Sequence, residues 1–217
     1  MIPQIEIAKL LSRIDHLVYA TPDLDTAVAK MERLLGVRAT TGGIHPNWGT
    51  RNALLTLGPR CYLEIIAPNP GRQSPPQGRP FGLDRLETAR LVGWAANSAN
   101  LEADRASAIQ SGLLLGPVLS GDRLRADGTR LSWRLTNLRS VAFDGVAPIL
   151  IDWGESPHPA STAAHGATLI SLCAEHPAAE TVRVRLAACG LPLPVTECPM
   201  PALIATIDCP NGRVEIR

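Results

Sequence analysis

Short apolar runs alternate with amphipathic segments along the chain, and their order predicts repeated strand–helix–strand units. Residues 14–20, IDHLVYA, carry β-branched and apolar side chains and predict a strand. A proline and two cap-type residues follow, and apolar side chains then recur at helical spacing until Gly36, which predicts a helix. A glycine-containing loop and two further strands complete a β-α-β-β-β unit over 14–66: the loop 40–50 and the strands 51–57 and 61–66.

The same order restarts after a connector, residues 67–82, that carries too much proline and glycine for a regular element. The residues that begin a helix recur 77 positions later, from Thr21 to Ser98, and the glycine that ends the helix recurs at Gly112. Residues 91–153 therefore predict a second β-α-β-β-β unit. Its strand signals lie at 91–96, at the tight-hairpin pair Asp127-Gly128 and at 148–153.

A second connector, residues 154–166, leads to a shorter restart over 167–217, which predicts a partial third unit of β-α-β-β type. Its middle segment places Val182 and Leu186 on one helical face, but the same residues also alternate as they would in a strand, so both interpretations stay open. The chain ends in a convincing hairpin signal around Asn211.

Composition excludes several classes of function. The chain has 217 residues, 45% of them hydrophobic and 19% charged, which is typical of a globular protein. A formal net charge of +1 argues against nucleic acid or an anionic membrane as a partner, and no apolar stretch is long enough to span a bilayer. The five cysteines are odd in number and form no C-x-x-C pair, which fits a reducing cytoplasm. No nucleotide-binding motif is present, so no nucleotide cofactor is expected.

Three polar side chains in apolar strands are the main chemical signal: His16, Glu64 and Asp152. A carboxylate within an apolar strand is costly to bury unless it is paired, protonated or bound to a metal. Each residue also has a plain alternative. His16 alone is compatible with a hydrogen-bonded core histidine, Glu64 with an ion pair to Arg51, and Asp152 with a cap at a strand end.

Further aromatic and polar residues are candidates for substrate binding. The segment 45–52 brings an imidazole, an indole, a guanidinium and an amide together, either as a pocket wall or as an ordered surface loop. Trp94 is a candidate for the pocket, whereas Trp153 is expected in an ordinary aromatic core. Arginines around the predicted hairpin are candidates for an anionic substrate, although a solvated face explains most of them. The full substrate-binding set is His45, Trp48, Arg51, Asn52, Trp94 and Arg134. Three histidines in the connections lack metal-ligand spacing and receive no role: His158, His165 and His176.

The segments IDHLVYATPDLDTAV, GTRNALLTLG and CYLEIIAP resemble the glyoxalase-like domain family of the vicinal-oxygen-chelate superfamily, which includes glyoxalase, bleomycin-resistance and extradiol-dioxygenase proteins. The resemblance implies an α+β fold in which tandem βαβββ modules form a cupped mixed or antiparallel sheet, here with a partial third module at the C-terminus. It also implies that a divalent metal, where present, is held by side chains from the first and last strands of each module.

By that resemblance His16 and Glu64 match ligand positions of the first module, and Asp152 falls at the last strand of the second. Glu64 or Asp152 is then the candidate base. The fourth position, 77 residues after His16, is Gly93, which cannot coordinate a metal. A set of one imidazole and two carboxylates suits Mn²⁺, Fe²⁺, Ni²⁺, Zn²⁺ or Mg²⁺, which would act as a Lewis acid on two neighbouring substrate oxygens.

Three functions stay open at this point. The leading hypothesis is a glyoxalase-like small-molecule enzyme of lyase, isomerase or dioxygenase type, with or without a divalent metal, acting on a substrate with adjacent oxygens. The second is a metal-free protein that binds and sequesters an apolar or aromatic small molecule. The third is a catalytically silent structural module. The expected partners are a small-molecule ligand and, by the resemblance, a second copy of the chain in a homodimer.

Overall fold

The computed structural model describes residues 4–124, 128–139 and 142–217. The described chain contains four α-helices: α1 Gln4–Arg13, α2 Leu24–Leu35, α3 Leu101–Gln110 and α4 Ala179–Ala188. It contains twelve strands: β1 Ile14–Ala20, β2 Thr40–His45, β3 Thr50–Gly58, β4 Cys61–Pro68, β5 Arg90–Asn97, β6 Val118–Leu124, β7 Arg130–Thr136, β8 Ile149–Asp152, β9 Thr168–His176, β10 Val195–Glu197, β11 Ala202–Cys209 and β12 Gly212–Ile216. Asp127 of the predicted hairpin lies outside the described residues.

The first eight strands close into a barrel in the order β1-β4-β3-β2-β6-β7-β8-β5. Within the first half β1 pairs parallel with β4, and within the second half β5 pairs parallel with β8. The halves join through antiparallel pairing of β1 with β5 and of β2 with β6. The predicted α+β fold of tandem βαβββ modules is therefore confirmed, and the cup that they form is a closed mixed barrel. The residue bounds of the units stay predictions.

Helix α2 follows the predicted pattern closely. Asp23 caps its N-terminus by accepting a hydrogen bond from the backbone N–H of Asp25, and Gly36 ends it in the left-handed conformation with φ of 74°. Its buried side chains share one face, which packs against the barrel strands: Leu24, Ala27, Val28, Met31 and Leu35. In the second module Asn100, not Ser98, caps α3 by accepting from the N–H of Ala103.

The C-terminal unit forms a separate four-stranded sheet in the order β10-β9-β11-β12. Its middle segment is the helix α4, in which Val182 and Leu186 are fully buried, so the strand alternative for this segment is wrong. The three-residue strand β10 was not predicted. A continuous apolar cluster joins this sheet and its helix to the outer face of the barrel.

Strand β2 occupies part of the segment predicted as a loop. Two glycines in it, Gly42 and Gly43, lower its strand propensity, but the fold requires them. A Cβ on Gly43 would lie 2.5 Å from the carbonyl oxygen of Leu124, across the seam where the two halves of the barrel meet. A Cβ on Gly42 would lie 2.1 Å from the side-chain oxygen of Asn52. The glycines therefore allow a close approach of strands and side chains.

Two further segments have structure for which the sequence analysis made no prediction. Residues before β1 form the helix α1, and the connector 154–166 packs against β3 through a hydrogen bond of 2.8 Å from the Thr56 N–H to the Ala164 carbonyl. Among the described residues, no helix has the length and apolar character needed to cross a membrane.

Candidate functional site

A pocket opens into the barrel, with about 410 Å³ of empty space when its open mouth is included. Its polar lining comes from five consecutive barrel positions on β1, β4, β3, β2 and β6: His16, Glu64, Asn52, His45 and Arg123. The remaining lining is aromatic and aliphatic: Trp48, Tyr62, Ile66, Phe81, Trp133, Leu135, Leu138, Ile149, Ile151 and Trp153. The pocket therefore has a polar side and an apolar side.

Glu64 lies at the centre of the polar side and is 8% exposed. Alternation along β4 turns its side chain inward, and the Nδ2 group of Asn52 donates to its Oε1 atom over 2.6 Å. Its other neighbours are two imidazoles, with His16 Nε2 at 3.9 Å from Oε2 and His45 Nε2 at 4.0 Å from Oε1. The expected alternative partner, Arg51, instead pairs with Asp25 on the outside of the barrel at 2.9 Å.

His16 is held by a buried carboxylate that sequence reasoning did not assign to the site. Its Nδ1 lies 2.8 Å from Oδ1 of Asp15, and its ring stacks on Tyr62 with centroids 4.7 Å apart. Strict alternation would send Asp15 and His16 to opposite faces. The pairing of β1 with β5 is irregular between Ile14 and His16, and this bulge allows neighbouring side chains to meet.

Asp15 also accepts hydrogen bonds from the second half of the chain. The indole Nε1 of Trp153 donates to both of its oxygens, at 3.2 and 3.1 Å, and His158 Nε2 lies 3.2 Å from Oδ2. His158 Nδ1 accepts from the backbone N–H of Ala160, so its Nε2 carries the hydrogen that is donated to Asp15. Trp153 Nε1 and His158 Nε2 therefore both act as hydrogen-bond donors to Asp15.

Asp15 is consequently a permanent anion at neutral pH. Burial alone would raise the pKa of this carboxyl group, but hydrogen bonds from His158 and His16 outweigh burial and lower its pKa to about 2. An anionic acceptor at Nδ1 requires that His16 donate from Nδ1. When His16 is neutral, its Nε2 therefore presents an unprotonated lone pair towards Glu64.

His45 closes the polar side from β2. Its Nδ1 lies 2.9 Å from the hydroxyl oxygen of Thr50, and the ring is buried. Burial lowers the pKa of His45 to about 4, although the Glu64 carboxylate opposes this shift. His45 is therefore a neutral imidazole at physiological pH.

The structure brings five of the predicted site residues into the pocket: His16, His45, Trp48, Asn52 and Glu64. It also adds Arg123, which is buried and whose Nη1 lies 3.4 Å from Oδ1 of Asn52. The segment 45–52 is thus a pocket wall as well as a turn between β2 and β3. Trp153, expected in the core, lines the pocket and contacts Asp15.

Four predicted site residues lie outside the pocket, and each makes a hydrogen bond or an ion pair elsewhere. Trp94 lies in the core outside the barrel and donates to the Val146 carbonyl over 2.8 Å. Arg134 pairs with Glu102 on the surface at 2.6 Å. Asp152 lies on the outer face of β8, accepts from the Gly154 N–H at 2.9 Å and borders a surface groove beside Arg134. Arg51 pairs with Asp25 as described above.

His158 was missed because the sequence places it in a proline-rich connector. Nothing in its local spacing indicates a role, since its partner Asp15 lies 143 positions earlier. Asp15 was missed because strand alternation turns it away from His16. A buried acidic residue beside a histidine in a fully apolar strand is the one local signal that indicates such a pair.

A family model described as a glyoxalase-like domain matches residues 14–190. The chain belongs to the glyoxalase-like domain family. This membership agrees with the resemblance and with the vicinal-oxygen-chelate architecture of the barrel. No curated protein matches the sequence of this glyoxalase-like protein.

Solved structures resemble the glyoxalase-like protein in fold. A hypothetical protein from Staphylococcus aureus is 13% identical, covers 81% of this chain and 74% of its own, and has a TM-score of 0.61. Methylmalonyl-CoA epimerase from Streptomyces coelicolor is 21% identical, covering 69% of this chain and 99% of its own with a TM-score of 0.45. The Mycobacterium tuberculosis epimerase is 20% identical, covering 75% and 97% with a TM-score of 0.44.

The metal centre implied by the superfamily does not fit the donors of this glyoxalase-like protein. Val18 of β1 pairs with Glu64 of β4. The residue equivalent to Val18 in the second module, 77 positions later, is Ala95 of β5, and it pairs with Ile149 of β8. The counterpart of Glu64 in the second half is therefore apolar. The predicted set of His16, Glu64 and Asp152 does not converge. Across the described ranges, no three His, Cys, Asp or Glu side chains are arranged to hold a metal ion.

Proposed function

We propose that the protein is a small-molecule enzyme that moves a proton, with Glu64 as the base and no resident metal ion. The observation that carries this proposal is the position of Glu64, whose carboxylate faces the pocket, accepts a hydrogen bond from Asn52 and has its Oε2 atom 3.9 Å from Nε2 of His16. A general base must reach the proton that it removes, and a carboxylate at the wall of a pocket meets that condition.

The Asp15–His16 pair supports a second proton acceptor on the same side of the pocket. Because Nδ1 of His16 donates to Asp15, its Nε2 is available 3.9 Å from Oε2 of Glu64. Two acceptors this close serve the same face of a bound molecule. This arrangement favours removal and return of a proton on one face, which is the chemistry of an isomerase or of a lyase that eliminates through an enolate.

The step needs no external oxidant or reductant. Glu64 accepts a proton from a carbon next to a carbonyl group, and the C–H electron pair moves towards the carbonyl oxygen to give an enolate. The protonated Glu64 or a protonated His16 then returns a proton to carbon. The positive charge of Arg123, which lines the same side of the pocket, stabilises the negative charge that develops on oxygen.

Hydrogen–deuterium exchange tests this function with 2-tetralone, a small uncharged ketone with acidic C–H bonds. The protein is incubated with 2-tetralone in D₂O, and loss of the signal of the protons next to the carbonyl is followed by NMR. We expect the wild-type protein to accelerate exchange and the rate to survive treatment with a chelator. A rate that disappears on chelation and returns with a divalent metal would contradict the metal-free mechanism.

A second candidate function is binding without turnover, and the largely aromatic and apolar lining of the pocket favours it. Under this alternative 2-tetralone binds but its exchange rate equals that of the buffer. The Glu64→Gln variant then binds the ketone as tightly as the wild type does, because no group in the pocket acts on its protons.

A further inference from the structure

Aromatic side chains are concentrated around the barrel pocket. The chain contains only eight Trp, Tyr and Phe residues, and five of them line the pocket: Trp48, Tyr62, Phe81, Trp133 and Trp153. The other three lie elsewhere: Tyr19, Trp94 and Phe143. A pocket lined only to exclude water could be built from aliphatic side chains, which the chain has in excess. The concentration therefore indicates a ligand whose binding benefits from rings.

Four of the five rings are linked in a row: Trp48, Trp133 and Trp153 contact one another in turn, and His158, behind the pocket lining, joins Trp153 to Tyr62. Trp133 lies 5.1 Å from Trp153 and 5.9 Å from Trp48, measured between ring centroids. The wall extends through His158, 5.9 Å from Trp153 and 5.6 Å from Tyr62. We call these rings the aromatic wall. Such mutual packing fixes the ring planes, and fixed planes favour a flat ligand over a puckered one of equal size.

Charge in the pocket selects against an ionised ligand. One acidic and one basic side chain line the pocket, Glu64 and Arg123, so a charged ligand of either sign is repelled by one of them while it is attracted by the other. Arg123 donates to Asn52 and so takes part in the orientation of Glu64. His45 is neutral because burial lowers its pKa to about 4. An uncharged ligand avoids both repulsion and the cost of desolvating a charge.

We infer that the pocket takes an uncharged, planar aromatic molecule that carries one hydroxyl or carbonyl oxygen. Its ring packs against the aromatic wall, and its oxygen lies on the polar side beside Asn52 and Glu64. This inference rests on the proposed function for the location of the site, but it concerns binding alone. A metal centre that chelates its substrate needs two neighbouring oxygens on the ligand. The class inferred here needs only one oxygen.

A matched pair of probes tests the inference by titration calorimetry. 2-Naphthol and decahydro-2-naphthol share a carbon skeleton and a hydroxyl group, but only the first is flat. We expect 2-naphthol to bind the wild-type protein about tenfold more tightly, the size of effect that one or two ring-stacking contacts produce. 2-Naphthoate, which is flat but anionic, should bind at least about tenfold more weakly than 2-naphthol, because it adds a charge beside Glu64. Equal or tighter binding of either control probe would overturn the inference.

Variants locate the preference on the aromatic wall. Trp133→Leu and, at a half-buried position less critical for folding, Trp48→Leu should each reduce the ratio between 2-naphthol and decahydro-2-naphthol towards one. Phe143→Leu, which removes a half-buried ring outside the pocket, should leave the ratio unchanged. A ratio unaffected by both tryptophan variants, or one equally reduced by Phe143→Leu, would contradict the assignment.

The titration involves no chemical step, so its outcome is separable from that of the exchange experiment. An intact preference for the flat probe in a protein that does not catalyse exchange would overturn the proposed reaction and leave the substrate class standing. Catalysed exchange without any preference for flat probes would overturn the substrate class and leave the proposed reaction standing.

Discussion

The two halves of the barrel have the same strand order but present different chemistry to the pocket. The first half supplies two imidazoles, an amide and a carboxylate, whereas the second supplies apolar and aromatic side chains with the single cation of Arg123. Equivalent positions differ in the same way. The parallel pair of Val18 and Glu64 in the first half corresponds to that of Ala95 and Ile149 in the second, so an acidic side chain in one half has an apolar counterpart in the other. The second half therefore completes the pocket wall, and the first half contains the groups that we propose to react.

This division has a physical reason. A closed barrel needs shape and hydrophobic complementarity from both halves, but every buried polar group needs its own partners. The polar groups of the first half satisfy one another, as Asn52 does for Glu64 and Asp15 does for His16. Repeating that network in the second half would double the cost of burial without adding a second substrate site.

The largest expected effect comes from removing the reactive carboxylate. Glu64→Gln keeps the shape and the contact with Asn52 but cannot accept a proton, so the exchange rate of 2-tetralone should fall by about 100-fold or more. The matched change in the other half, Ile149→Val, should alter that rate by less than about twofold, since it removes only one methylene group from the apolar side. Similar losses in both variants would show that the halves do not differ as proposed.

The next effect is the dependence of stability on pH that His45 causes. Its pKa is lowered from 6.5 to about 4 in the folded state, so the unfolded state binds the proton more readily. Stability due to His45 is thus fully present above pH 6.5 and is lost as the pH falls towards 4, by about 3 kcal/mol in total. Urea unfolding between pH 7 and pH 4 measures this loss.

The control for His45 lies in the connector. His45→Asn should remove most of the change in stability between pH 7 and pH 4, whereas the same substitution at the exposed His165 should preserve it. A wild-type protein whose unfolding free energy is constant over this interval would contradict a buried neutral His45.

A somewhat smaller effect is expected from Asp15 at lower pH. Its folded pKa of about 2 lies below the ordinary value of 3.8, so its contribution is present above pH 4 and is lost as the pH falls towards 2. The expected loss is about 2 kcal/mol. Asp15→Asn should remove this dependence, which is measured by urea unfolding from pH 4 to pH 2. If the variant shows the same slope as the wild type, another carboxyl group is responsible.

The smallest effect is expected outside the pocket, where sequence reasoning had placed a binding residue. Arg134 and Glu102 are both largely exposed, so Arg134→Gln should change the free energy of unfolding by less than about 0.5 kcal/mol. Exchange of 2-tetralone should also stay at the wild-type rate. A loss of exchange above about tenfold, which exceeds any effect of an exposed ion pair, would return Arg134 to the site.

The sequence predicted the repeated modules because their signals are local. The strand IDHLVYA, the capped helix that ends at Gly36 and the strand CYLEII each contain their own pattern. Strand β2 could not be predicted in the same way. Its glycines weaken the local signal, and they are required by contacts with Leu124 and Asn52 that exist only in the folded barrel.

The site was predictable where strand alternation or the residue types of one segment indicate it. Glu64 lies in a long apolar strand, so its inward orientation follows from its neighbours, whereas His45, Trp48 and Asn52 were candidates because they lie together in the segment 45–52.

Asp152 ends the four-residue strand β8, in which the pairing register, and not the apolar character of the strand, decides which side chain faces inward. Asp15 meets His16 through a bulge: the residues show an acid beside a histidine in an apolar strand, but not the irregular pairing that brings the two side chains together.

The distance along the chain between Asp15 and its partners has a consequence for when the proposed site forms during folding. Trp153 and His158 lie 138 and 143 positions after Asp15, so both arrive only when the two ends of the barrel have met. Until then the Asp15 carboxylate lacks two of its three donors, and nothing fixes the imidazole beside it. Contacts of such long range are among the slowest to form in a folding chain. During refolding, the proposed exchange activity should therefore appear with the final closure of the sheet and not with the earlier formation of helices.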